Sequence, residues 1–169
     1  MRTRAGRGAV FAAAGILGLA VALAPGCGGP VPSAEEEIRA LIGEAELAAE
    51  DRDLSALGEM VSPAYRDAAR RDRRELVRLV ALYLLRNESI HLLVRVRDIR
   101  VDPAGRGEAE LYLAAAGRPI SDLEALVPLR ADLYRVDLVL RRGEDDAWQV
   151  TGARWERADR RRIIEELLE

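Results

Sequence analysis

The residues able to do chemistry are few. The 169-residue chain holds one cysteine, Cys27, and one histidine, His91. No disulfide can close within one chain. One histidine without a cysteine partner set does not make a zinc site. Cys27 stands in Gly26-Cys27-Gly28-Gly29-Pro30, which has no packing pattern, so it does not read as a buried structural thiol. A general base needs a partner and an open pocket. His91 starts an alternating stretch on its less apolar parity, which reads as a surface or structural position. Asp98 stands where that stretch changes phase, and Asp137 shares parity with Arg135 and Arg141. Ion pairing on a solvated face is the plain reading of both. There is no calcium-loop spacing, glycine-rich phosphate loop, serine nucleophile elbow or Cys–His pair. No catalytic residue, metal or cofactor is assigned.

The N-terminus positions the cysteine. Arg2, Arg4 and Arg7 precede an apolar run from Ala9 to Ala24, and small residues follow. Charge, apolar core and small-residue site in that order form a secretory signal. The run is shorter than the ~20 residues a spanning helix needs. Leu23-Ala24-Pro25-Gly26-Cys27 resembles the lipobox of bacterial lipoproteins, with Ala24 and Pro25 departing from the usual pattern. The resemblance implies cleavage before Cys27 and lipidation of Cys27, with residues 1–26 as signal peptide. The rivals are an ordinary cleaved signal leaving a free thiol and an uncleaved anchor. Residues 27–33 read as a tether. Gly28 to Ser33 span at most about 20 Å, so residues 34–169 would sit close to the bilayer. Gly28 is not the Asp that retains lipoproteins at the inner membrane in enteric-type sorting. The expected place is the cell envelope, on the periplasmic face of the outer membrane.

About 140 residues remain after the signal, a single-domain length. The formal net charge is −3, and it turns more negative once the signal arginines are removed. No basic excess for nucleic acid remains. Arg70, Arg71, Arg73, Arg74 and Arg78 cluster, but Asp67, Asp72 and Glu75 interleave with them, the mark of a self-paired surface.

The elements follow from periodicity. Ser33 and Glu36 form a capping box before Ile38, Leu41, Ile42, Ala45 and Ala48, one face of a helix ending near Asp51. Asp53 caps a shorter helix that stops at Ser62-Pro63. Asp72 and Glu75 open a third, apolar on more than one side, which implies cover on both. Ile90 to Val101 alternates as a strand with a phase flip near Asp98, the signature of a bulge. Ala109 to Leu113 and Leu133 to Arg142 are further strands, and Trp148 opens a fourth running to Arg157. Trp148 and Trp155 differ by an odd number, which puts them on opposite faces of a regular strand. Ser121 to Leu129 reads as an irregular excursion and Asp159 to Glu169 as a closing amphipathic helix.

Helices followed by mostly antiparallel strands make an α+β layer. The order resembles the NTF2-like (SnoaL-like) superfamily, on the helix series with Leu57 to Tyr65, the bent strand Ile90 to Val101 and the hairpin Tyr134 to Trp155. The resemblance implies helices packed into a curved four-stranded sheet, a cone, plus a C-terminal helix outside the usual core. Tyr65, Tyr83, Tyr134 and Trp148 would then line the cone mouth or fill the core. Superfamily members range from enzymes to binding and assembly domains, so fold does not settle function. The leading expectation is a non-catalytic binding or interaction module for an envelope protein or a small apolar ligand. The alternative is a small lyase or isomerase with a carboxylate such as Asp98 in the cone. Homodimerisation through the sheet is a third outcome that the resemblance implies.

Overall fold

The computed structural model describes residues 31–117, 119 and 131–159. The expected signal peptide, Cys27, the start of the expected tether, the segment 121–129 and the expected closing helix beyond Asp159 lie outside them. Apart from Val31 the described residues belong to the compact unit Pro32–Glu169.

Three helices come first. In α1 (Ala34–Glu50) the Ser33 hydroxyl accepts from the Glu36 N–H, and the Glu36 carboxylate accepts from the Ser33 N–H. In α2 (Leu54–Glu59) the Asp53 carboxylate accepts from the Ser55 and Ala56 N–H groups, both at 3.0 Å. In α3 (Arg73–Arg86) Asp72 and Glu75 repeat the capping box. These caps satisfy backbone donors that the first helical turn leaves free. Arg52, held at positive φ, donates its guanidinium to the carbonyls of Leu84 and Asn87, tying the start of α2 to the end of α3.

Four strands follow: β1 (His91–Val101), β2 (Arg106–Ala116), β3 (Asp132–Arg142) and β4 (Trp148–Arg157). They pair in that order, all antiparallel. Register shifts between Val96 and Asp98, where Arg97 is the extra residue. A second shift puts Thr151 as the extra residue of β4. Each bulge reverses side-chain parity along its strand. Trp155, opposite Val136, therefore faces the same side as Trp148, opposite Arg142. The expectation of opposite faces fails because the bulge at Thr151 cancels the odd separation.

The inner face of the sheet carries the larger core cluster, and Tyr112, Ala114 and Leu133 form a smaller one on the other face. Ile38 and Ile42 of α1 pack on Ile99, Ala109, Leu111, Leu140 and Trp148. Ile38 and Leu140 are wholly buried, each contributing about 1.5–3 kcal/mol through burial. Gly107 lets these groups meet, since a Cβ there would stand 2.8 Å from Ile38 Cδ1 and 3.2 Å from Trp148 Cζ3.

Both sheet edges are occupied in part. Along β1 the N–H groups of Leu92 and Val94 donate to the carboxylates of Glu50 and Glu46 at 2.7 and 3.1 Å. Along β4 the loop after α2 docks by backbone: Val150 N–H donates to Met60 O, Ser62 N–H to Val150 O and Arg66 N–H to Thr151 O. An edge so capped offers few free groups to another chain.

Candidate functional site

The inner face divides along its length. At the α1 end the wall is closed, and Trp148 is buried there. Its indole N–H donates to Glu37 at 3.0 Å, and the Arg142 guanidinium lies over its ring at 5.0 Å. Val94, Leu113, Val136 and Leu138 also face inward and are partly buried, packed against the same cluster. The third helix packs mainly against α2. Its apolar residues are too many to cover, and Leu79, Leu82 and Leu85 are exposed. The expectation of cover on both sides of this helix is not met among the described residues.

Polar groups collect at the end of the sheet away from Trp148. Pairing puts Asp132 and Tyr134 on the inner face, opposite Ala115 and Leu113, and Arg157 opposite Tyr134. Arg157 donates to Asp132 at 3.0 Å, and their side chains are 75% and 44% exposed. Tyr134 hydrogen-bonds the Arg157 side chain, which together with Asp132 holds that guanidinium above its usual range. Tyr83 of α3 faces this group. Burial pushes its phenol up, the charges of Asp132 and Tyr134 push it further, and Arg157 opposes them. The structure thus brings Tyr83 and Tyr134 together and adds Asp132 and Arg157.

Tyr65 is placed differently. It lies on the loop between α2 and α3 and is wholly buried. That loop is pinned along β4 by backbone bonds of Ser62 and Arg66. Its hydroxyl has no hydrogen-bond partner among the described residues. Burial, then the Asp67 charge, push the phenol up to about 12, against the opposing Arg71.

Asp67 holds the loop in shape. Its side chain is 1% exposed. One oxygen accepts from the Ala69 and Arg71 N–H groups at 2.8 and 2.9 Å, and the other from Arg71 Nε at 2.6 Å. Burial raises this carboxyl, but the Arg71 backbone and side-chain hydrogen bonds outweigh it and the net shift is downward. Arg71 in turn lies over the Trp155 ring at 4.5 Å. An open groove of about 420 Å³ runs beside them, between Ala68, Ala69 and the strand from Ala153 to Glu156.

The remaining sequence candidates lie elsewhere. Asp98 pairs with Arg100 at 2.7 Å on the outer face, opposite Glu110. Asp137 lies on the same face near Arg135, and Glu110 forms an ion pair with Arg135 at 3.1 Å. His91, opposite Ala116, also belongs to that face. Among the described residues no cluster of three or more His, Cys, Asp or Glu could hold a metal. No described helix is long and apolar enough to cross a membrane.

Asp132 and Arg157 escaped the sequence reading. Asp132 precedes the alternating run of β3, where periodicity gives no parity, and Arg157 lies beyond a bulge that reverses it. The one available signal was Gly152, since glycine inside a strand marks a bulge or a close backbone approach. A Cβ there would stand 3.1 Å from the Arg66 carbonyl.

No family model matches the chain, and no curated protein matches it. Solved structures do. A ketosteroid isomerase-like protein from Erwinia carotovora atroseptica is similar at 12% identity and TM-score 0.55, covering 74% of this chain and 96% of that one. A proposed dehydratase of the NTF2-like family from Streptomyces avermitilis matches at 17% identity and TM-score 0.56, with the same coverage. An NTF2-like protein of unknown function from Pseudomonas putida matches at 18% and 0.54, covering 73% and 85%. The fold is α+β and NTF2-like, helices packed on a four-stranded antiparallel sheet. At these identities the likeness extends to the fold alone.

Proposed function

We propose that this chain is a bacterial envelope lipoprotein, anchored through a lipid on Cys27, whose NTF2-like domain holds a small apolar ligand in its cone without transforming it. The supporting observation is the apolar inner wall whose Val94, Leu113, Val136 and Leu138 are only partly buried. Exposing such a wall to water is unfavourable by about 25 cal/mol per Å², and an apolar guest recovers that. The charged part of the outer face is a poorer docking surface for apolar partners. Its ion pairs from Asp98 to Arg135 would have to be desolvated.

One observation favours the enzymatic reading that fold neighbours suggest: Asp132 stands on the inner face beside Tyr83. Its bond to Arg157 and its exposure argue against it as a base.

Titration of the protein with N-phenyl-1-naphthylamine, a neutral apolar fluorophore, tests the reading. The expected result is saturable binding at one site, lost in Val136→Trp, whose indole fills the cone. Absence of binding, or equal binding by the filled variant, overturns it. For the anchor, mass spectrometry of the mature N-terminus should find an acylated Cys27. An intact Met1 would remove that part alone.

A further inference from the structure

The solvent side of α3 forms a distinct surface. Leu79, Leu82 and Leu85 are 40%, 45% and 80% exposed. Arg74, Glu75, Arg78 and Arg86 are the other exposed residues of this helix. At about 100° per residue all seven fall within an arc of about 140°. The opposite side meets α2, where Arg73 and Val77 approach Gly58. The leucines recur every third residue and so make a stripe across the arc. Contiguous exposed apolar residues of this kind mark a contact surface.

The arginines on this face depart from the self-paired surface that the sequence predicts. Asp67 is taken by Arg71, and the carboxylates of Asp72 and Glu75 accept backbone N–H groups at the helix start. Among the described residues no ion pair involves Arg74, Arg78 or Arg86.

We propose that this face of α3 docks on the surface of an anionic phospholipid bilayer, with its leucines entering the interface and its arginines meeting lipid phosphates.

Charge decides between the candidate occupants. Three arginines against Glu75 leave the face positive, although the whole chain is negative. Salt limits the reach of the remaining charge to about 10 Å, so headgroups sense chiefly the face that touches them. A second copy fits poorly, because a two-fold pairing of this face sets arginines against arginines. A neutral apolar guest leaves the arginines unmatched. A bilayer meets both halves of the pattern. The arginine stems lie along apolar groups while the guanidinium stays at phosphate level and can bond two oxygens. Basic residues beside leucines are the make-up of helices that lie in the interface plane. Docking here is independent of the cone ligand and of the lipid on Cys27. An anchor at Cys27 would add to it by holding the domain within about 20 Å of the bilayer and raising the effective lipid concentration.

A fluorophore on the face reads the contact. Leu85→Cys and Arg100→Cys are made in the full chain carrying Cys27→Ser, so that each protein has one thiol. Arg100, on the outer face of the sheet, is the control. Its side chain is 78% exposed and Leu85 is 80% exposed, so neither change should disturb the fold. Each protein is labelled with nitrobenzoxadiazole and reconstituted in phosphatidylcholine vesicles, with or without phosphatidylglycerol, that contain a doxyl lipid as quencher. The label at Leu85→Cys should be quenched with phosphatidylglycerol, far less without it, and released by salt. The label at Arg100→Cys should be quenched in neither. Arg78→Gln should lower the docked-to-undocked ratio about fivefold, the effect of one basic residue at an anionic surface. No quenching at Leu85→Cys, equal quenching without phosphatidylglycerol, or an unchanged ratio in Arg78→Gln overturns the dock. Equal quenching of both labels, which signals general adsorption, overturns it too. Disulfide cross-linking of two unlabelled copies through Leu85→Cys, without quenching of the labelled protein, gives the face to a second copy instead.

Discussion

Removing the Asp67 carboxylate should loosen the loop that carries Tyr65. The aspartate accepts three hydrogen bonds through a side chain 1% exposed. It also shapes the turn in which Arg70 adopts φ 61. Hydrogen bonds to a charged group contribute about 1.5–3 kcal/mol each in isolation. Their loss does not add fully here. Arg71 is 33% exposed and regains water, and the freed N–H groups lie in a surface loop that water can reach. Asp67→Ala should therefore cost about 2–3 kcal/mol, within the range for a broken buried network. For a domain of this length that corresponds to a fall in unfolding midpoint of about 6–12 °C. The pH profile separates this from simple loss of packing. The folded-state carboxyl is held below its ordinary value, so its contribution is complete above about pH 4 and disappears as pH falls through the folded value. Urea titrations of wild type and Asp67→Asn from pH 7 to pH 3 should show a gap that closes toward acid. A loss under about 0.5 kcal/mol for Asp67→Ala, or a gap independent of pH, would refute the reasoning.

Glu46 behaves in the opposite sense. Burial holds its carboxyl above the usual range, against its bond from Val94, while nearby Glu50 raises it further. A raised carboxyl penalises the folded state above its folded value, so Glu46→Gln should be neutral or stabilising at pH 7. Its amide oxygen can still accept from Val94, and the advantage should vanish in acid, as thermal melts at both pH values would show. Gly107→Ala forces a methyl between Ile38 and Trp148. It should cost about 1–3 kcal/mol by overpacking, read as a lower denaturant midpoint with an unchanged slope.

Local chemistry was legible in the sequence wherever one residue acts on its near neighbours. Both capping boxes and the Asp53 cap follow from side chains reaching a few residues along the chain, whereas the second helix stops at Glu59, ahead of the expected Ser62-Pro63. The bulge at Arg97 showed because apolar residues flank it on both sides and expose the phase change. The bulge at Thr151 did not, because Gly152 and Ala153 give no alternation to read. That one residue decided the face of Trp155 and the place of Arg157. Carboxylates of α1 capping the β1 edge, and Asp132 meeting Tyr83, join residues over 40 positions apart. Such contacts depend on register and docking, which hydrophobic pattern alone does not specify.

The central claim is that the inner face beneath α3 is an open apolar site. Crystals of the protein under xenon pressure test it most directly, because xenon enters dry apolar cavities. The account predicts ordered xenon between Leu113, Val136 and the facing side of α3. An inner face packed solid in that region, with α3 seated on the strands and no xenon, would contradict it.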